Sequence, residues 1–424
     1  MRRGYRRIGL PGLCLLLACT LTACGGGGGG GASAPAVGHN FSGGASNVVA
    51  VDIGPGPAGS NSQTFNIPFV SVTVCQPGTS TCATVDHVLV DTGSSGLRLM
   101  ASALAAHGLT LSPMPDPNNG AAAIQECLPF ADGYAWGPVA SADVTIGAEA
   151  SSQAIAVQVI DDSQTPSPAA PSSCTTNGTS LNSVDAFDAN GVLGVGTFNQ
   201  DCGSGCARSA LDVYYSCDAG GSCSPTAQSL DDQVSNPVAS FAADNNGVIL
   251  QLPAIPASGA PTATGYLVFG IDTESNNSLG TAAVLTTDTK GYFITDFQGQ
   301  TLNSSFIDSG SNSLYFPNSS SSPIPLCGAQ GTNAGDFYCP TATENLSATN
   351  QGENGTTSHV SFQLANMTQL SRSNFAVNDV GGPAQSSAIS NYFDWGLPFF
   401  YGRTVFTAME GTSAGDIAGP FFAY

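Results

Sequence analysis

Val88-Leu89-Val90-Asp91-Thr92-Gly93-Ser94-Ser95-Gly96-Leu97 and Ser305-Phe306-Ile307-Asp308-Ser309-Gly310-Ser311-Asn312-Ser313-Leu314 are two versions of one pattern. In each, an apolar run enters Asp-Thr/Ser-Gly-Ser, and a further stretch with apolar residues follows. Apolar residues ahead of turn-forming residues read as a buried strand feeding a loop. Asp91 and Asp308 stand 217 residues apart, which leaves room for a full lobe between them. Two copies of one loop predict two copies of one fold, and a site in which two aspartates face each other.

A pair of carboxyls in contact does what a single one cannot. Both cannot ionise easily, so one pKa falls, the other rises, and the pair shares a proton. It can then hold a water, take a proton from it with one member and donate to a carbonyl oxygen with the other. The neighbours suit this task. Gly93 and Gly310 let the backbone turn sharply and bring N–H groups to the carboxylates. Thr92 and Ser309 carry hydroxyls that can bond to the opposite loop, and Ser94 and Ser311 can each donate to the outer oxygen of their own aspartate.

The two loops resemble the catalytic loops of pepsin-like aspartic peptidases. Asn190-Gly191-Val192-Leu193-Gly194-Val195-Gly196 resembles the strand that crosses behind the first loop in that family, and Trp395-Gly396-Leu397-Pro398-Phe399-Phe400 its second-lobe counterpart. Leu267-Val268-Phe269-Gly270-Ile271-Asp272 resembles the segment where the chain leaves the first lobe. The resemblance covers roughly residues 47 to 424, with specific motifs in patches. It implies an all-β fold of two barrel-like lobes with a central cleft, an N-terminal lobe over 47–268 with Asp91 and a C-terminal lobe over 269–424 with Asp308. It further implies an endopeptidase without a cofactor or metal, a polypeptide substrate and a monomer.

In that family a hairpin carrying a tyrosine folds over the cleft. The matching stretch is Cys127 to Gly137, turning at Asp132-Gly133. Counting back from Asp143-Val144-Thr145-Ile146-Gly147 puts Phe130 at the tyrosine position, and counting forward from Asp91 puts Tyr134 there. Phe130, Asp132, Gly133, Tyr134 and Trp136 are thus candidates to cover the substrate. Arg98 stands where the family has a tryptophan bonded to that tyrosine, so it is a further candidate at the cleft edge, or else a solvated charge. The altered pair leaves a second expectation: a pepsin-fold module that holds a peptide or glycan without cutting it.

The N-terminus reads as an export signal. Arg2, Arg3, Arg6 and Arg7 precede an apolar stretch, Ile8 to Leu21, too short to span a membrane. Leu21-Thr22-Ala23-Cys24 resembles a bacterial lipoprotein cleavage box, which makes 1–24 the signal and Cys24 the lipidated residue. Residues 25–46 open with an unbroken glycine run and read as a tether. Gly25 after the cysteine resembles outer-membrane sorting, so the expected place is the bacterial cell envelope, anchored through lipid. Residues 25–46 contain no Lys or Arg, so a basic prosegment of the eukaryotic zymogen kind is missing from that stretch.

Thirteen cysteines are present, and ten remain after Cys14, Cys19 and Cys24. Spacing suggests Cys75 with Cys82, Cys202 with Cys206, Cys217 with Cys223, and Cys327 with Cys339, leaving Cys127 and Cys174; the cluster from 202 to 223 has other pairings open to it. A metal site is the competing use of such a cluster, but disulfides fit an exported chain better. The chain holds 9 Lys and Arg against 30 Asp and Glu. So acidic a chain carries no footprint for nucleic acid.

The rest reads as short strands broken by turns: Phe65 to Val74, Ile155 to Ile160, Gly247 to Leu252 and Tyr292 to Phe297, with helical pattern at Ala101 to His107. Ser163 to Asn182 and Cys202 to Asp232 read as surface loops. Gly411-Thr412-Ser413-Ala414-Gly415 fits a nucleophile-elbow pattern, but no histidine follows it to serve as base.

Overall fold

The computed structural model describes residues 41, 43–58, 60, 64–131, 133–319, 323–328, 336–384 and 391–424. Cys24 and the segment read as a signal lie outside the described residues, as does Asp132. The described chain is all-β with barrel-like sheets, and its helices are short. Among the described residues no helix is long and apolar enough to cross a membrane.

The strand ahead of the first loop, Cys82–Asp91, ends in the buried run Val88, Leu89, Val90. It pairs antiparallel with Pro68–Cys75, whose residues from Val70 on alternate between buried and more exposed positions as a half-buried strand requires. The chain turns at 92–94 and continues as Ser95–Met100, buried along its whole length. Gly191–Val195 crosses beside both: parallel to Cys82–Asp91, with Gly194 opposite Asp91, and antiparallel to Ser95–Met100.

The second half repeats this arrangement. Gln300–Ile307 leads into the loop at Asp308, and Leu314–Phe316 leads out. Asp394–Trp395 runs parallel to the first and antiparallel to the second. An aromatic cluster packs behind it: Phe393 stacks on Trp395 with centroids 3.9 Å apart, and Phe297, Phe316 and Phe362 surround them. Such rings supply large buried area in fixed orientations.

The halves are not cut cleanly at 268/269. That boundary falls inside the strand Ala263–Phe269, which pairs with Val48–Ile53 on one side and Gly247–Gln251 on the other. The end of the chain then returns: Thr404–Ala408 pairs with Gly247–Gln251, and Phe421–Ala423 pairs with Thr404–Ala408 and with Val284–Thr286. One antiparallel sheet therefore draws strands from both halves.

Ile155–Ile160 is a strand as read, and Gly247–Gln251, Phe293–Phe297 and the helix Ala101–Ala106 lie within a residue of their expected bounds. The first expected strand begins only at Pro68, because Asn66 adopts a left-handed φ of 58°. The region 202–232 is not a surface loop throughout. Tyr214–Cys217 is a strand that pairs with Ala123–Glu126, and Tyr214 and Tyr215 are fully buried. Two adjacent aromatics find cover on both faces of a sheet that a polar loop would not give them. The stretch 163–182 likewise buries Cys174 and Leu181. Ser413 lies in a small hairpin, Ser413–Ala414 with Ile417–Ala418, with no strand-to-helix elbow.

Among the described residues five disulfides form: Cys75–Cys82, Cys127–Cys174, Cys202–Cys206, Cys217–Cys223 and Cys327–Cys339. Four close short loops, whereas Cys127–Cys174 spans 47 residues and fastens the segment after Ile160 to the strand Asn119–Phe130. Chain-entropy loss for a loop of that length is worth about 4 kcal/mol. Replacing Cys127 and Cys174 by alanine together is expected to lower the urea unfolding midpoint by more than removal of any other pair. An unchanged midpoint would show that this bridge constrains nothing in the unfolded chain.

Candidate active site

The two loops lock into each other. The Thr92 hydroxyl donates to the Ile307 carbonyl (3.1 Å) and accepts from the Ser309 N–H (2.9 Å). Reciprocally, the Ser309 hydroxyl donates to the Val90 carbonyl (2.8 Å) and accepts from the Thr92 N–H (3.1 Å). All four bonds are buried, so each satisfies a group that would otherwise cost about 1–3 kcal/mol to leave unpaired.

This interlock sets Asp91 against Asp308. Each inner oxygen, Oδ1, accepts from the glycine two residues on: Gly93 N–H at 2.8 Å and Gly310 N–H at 2.7 Å. Each outer oxygen, Oδ2, accepts from a serine hydroxyl: Ser94 at 2.5 Å and Ser311 at 2.7 Å. The glycines are there for space. A Cβ on Gly93 would lie 2.5 Å from Asp308 Cγ, and one on Gly310 would lie 2.6 Å from Asp91 Oδ1. The two carboxyls are within hydrogen-bonding reach of each other, and Asp308 is held well above the usual carboxylate range. Burial is the main cause, and the charges of Asp91 and Asp394 add to it. A carboxyl that keeps its proton beside one that can act as base is what hydrolysis by an activated water requires.

Sequence reading missed two residues here. Asp394, on the crossing strand, is buried, with its Oδ2 2.6 Å from Ser311 Oγ. Its signal was a lone carboxyl in the apolar run before Gly396. Asn66 is the other. It donates to the carbonyls of Asn312 (2.8 Å) and Val377 (2.6 Å), and its Oδ1 accepts from the Val377 N–H and the Tyr401 hydroxyl. One side chain from the first half thus holds the end of the second loop. The chain belongs to a family of proteins of unknown function, DUF3443, whose profile matches residues 43–424. No curated protein matches the chain.

Arg98 is neither a solvated charge nor a cleft-edge group. It is fully buried, and its guanidinium binds Glu126 (2.6 and 3.3 Å), Asp201 (2.9 Å) and the Ser95 carbonyl (2.9 Å). Tyr214 completes the cluster by donating to Asp201 at 2.7 Å. Burial opposes the guanidinium's charge, but Glu126 and Asp201 more than offset this and its pKa is raised. The cluster fastens the strand that leaves the first aspartate loop to the hairpin strand Asn119–Phe130. Arg98→Leu leaves two buried carboxyls without their cation, and a loss of about 3–5 kcal/mol is expected in chemical denaturation. A change under about 1 kcal/mol would mean that both acids simply take up protons.

The long hairpin, Asn119–Phe130 with Gly133–Ile146, holds the remaining candidates. Phe130, half-buried at its tip, meets Phe187 edge-on at 5.5 Å. Tyr134 is 8 % exposed and Trp136 is 1 % exposed. Trp136 donates to the Pro168 carbonyl (2.9 Å) and packs edge-on against Tyr215, so it is a core residue rather than a substrate contact. Gly133 passes under Thr179 so closely that a Cβ would lie 2.1 Å from its carbonyl oxygen. Thr179–Ser180 pairs with Gly133–Tyr134, and Tyr214–Cys217 pairs with the other hairpin strand. The hairpin is thus the middle of a wider sheet and is pinned by Cys127–Cys174.

Proposed function

We propose that the protein is a pepsin-like aspartic endopeptidase with two lobes flanking a cleft, and that Asp91 and Asp308 activate the attacking water. The observation that carries this reading is the pair of facing carboxyls on loops tied by four reciprocal hydrogen bonds. A turn-forming Asp-Gly alone needs no such partner.

Asp308 keeps the proton and Asp91 serves as base. Asp91 removes a proton from water as the water oxygen bonds to the peptide carbon, and Asp308 gives its proton to the carbonyl oxygen. The resulting tetrahedral diol collapses as the amine nitrogen takes a proton from Asp91 and the C–N bond breaks, while a diol hydroxyl returns its proton to Asp308. No cofactor enters this cycle. The substrate is an extended polypeptide, and the protein acts as a monomer held to the bacterial outer membrane by lipid on Cys24, without nucleic acid as a partner.

The test uses the chain without residues 1–24, incubated with a denatured protein and a mixed peptide library from acidic to neutral pH. Cleavage is expected, strongest on the acid side. A folded, disulfide-bonded sample that cuts nothing at any pH would overturn the reading. One observation favours a second reading in that event: the hairpin expected to move over substrate is pinned by a disulfide and by strands on both sides. A fixed cover suits a module that holds a peptide or glycan.

A further inference from the structure

Ser311 poses a problem of proton count. Its Oγ lies 2.7 Å from Asp308 Oδ2 and 2.6 Å from Asp394 Oδ2. A hydroxyl has one proton and can donate to only one of them. The other short contact needs a proton on a carboxyl, so either Asp308 or Asp394 is a neutral acid donating to Ser311.

Two observations choose between them. The proton that Asp308 shares with Asp91 belongs on its inner side. Both Oδ1 atoms approach the same point, 2.6 and 3.1 Å from where a Gly310 Cβ would lie. Asp308 Oδ2, the outer oxygen, is then free to accept from Ser311. Asp394 also has a buried Oδ1 without a hydrogen-bond partner among the described residues. An ionised carboxylate with one bare buried oxygen is costly, whereas the carbonyl oxygen of a neutral acid tolerates that position far better. Burial pushes Asp394 up to about 8, in the same direction. No cation is ion-paired with it among the described residues. Tyr315, opposite it in the sheet, donates elsewhere, to Asn312.

We propose that Asp394 is a positioning residue: a neutral carboxylic acid that donates to Ser311 Oγ and thereby aims the Ser311 hydroxyl at Asp308 Oδ2. The two halves differ at this point. The register that sets Phe306 opposite Asp394 sets Leu89 opposite Val192, so the equivalent place on the first crossing strand is apolar. Among the described residues Ser94 has no such donor to orient it. The pair is therefore asymmetric by construction, with a hydrogen-bond chain Asp394–Ser311–Asp308 on one side only. Asp394 touches neither substrate nor water in this scheme and acts through Ser311.

The catalytic part of this inference rests on the peptidase reading, and the proton on Asp394 does not. Infrared spectra of the full chain at pH 7 test the proton directly. The carbonyl stretch of a protonated carboxylic acid is expected to lose intensity in Asp394→Asn and to keep that component in Asp308→Asn. Unchanged intensity in Asp394→Asn would overturn the proposal, whether or not the protein cuts peptides. Kinetics test the positioning. Asp394→Val, which copies the first half, is expected to lower kcat about tenfold with KM unchanged. Asp394→Asn, whose amide can still donate to Ser311, is expected to restore most of that loss. Asp394→Val with wild-type kcat, or Asp394→Asn no better than Asp394→Val, would also overturn it. If the wild-type chain cuts nothing, the peptidase reading falls and the infrared result still decides the state of Asp394.

Discussion

On the peptidase reading, Asp91→Asn and Asp308→Asn are each expected to give a folded protein that has lost peptide hydrolysis. The loss expected for removing a positioned acid or base is at least about 10²–10⁴-fold. The two groups act as a unit, so the double variant is expected to be no worse than either single one. Folding survives because the interlock runs through Thr92, Ser309 and backbone groups, none of them a carboxyl. An asparagine oxygen can still accept from the Gly93 or Gly310 N–H. What it cannot do is take a proton from water or give one to a carbonyl oxygen. Parallel measurement of cleavage and of the unfolding midpoint checks both halves of the statement. Cleavage at the wild-type rate in either variant would place the chemistry elsewhere in the chain.

Much of this site was legible because its parts are local. Asp91, Thr92, Gly93 and Ser94 are consecutive, as are Asp308 to Ser311, and an apolar strand before a sharp turn is a short-range signal. The close cysteine pairs are equally local. What escaped reading depends on partners far away in the chain. Arg98 looked exposed because nothing adjacent neutralises it; its acids lie 28 and 103 residues on. Asp394 meets Ser311 across 83 residues. The stretch from Cys202 to Asp232 has the composition of a loop, and only pairing with the hairpin turns Tyr214–Cys217 into a strand. Polarity at one position says little until the register brings up its neighbour. The halves also share a sheet through the returning strands after Thr404, a long-range closure that no boundary drawn along the sequence conveys.

The protein is expected to be most stable in acid and to lose stability as pH rises from about 4 to about 8. Outside the Arg98 cluster, every carboxyl with a resolved shift moves the same way: Asp308 and Asp394 strongly, Glu149 and Asp379 less, each chiefly through burial. In the unfolded chain such groups ionise near pH 4. In the folded chain they keep their protons to higher pH, so their contribution is complete below about pH 4 and is lost as pH climbs through the folded value, about 8 for Asp394. That group alone accounts for a loss on the order of 5 kcal/mol across the window, at 1.36 kcal/mol for each unit of displacement. The general charge acts in the same sense, because a chain with 30 acids against 9 Lys and Arg repels itself more as the acids ionise. Urea unfolding at pH 4.5, 6 and 8 checks the sign, and Asp394→Asn is expected to flatten the dependence by removing one of the displaced acids. A midpoint that rises from pH 4.5 to 8 would contradict it, since that is the behaviour of a fold held by depressed carboxylates. The direction also bears on the chemistry. A pair that must share one proton works where protons are retained, so the conditions that keep Asp308 protonated are those in which the fold around it is strongest.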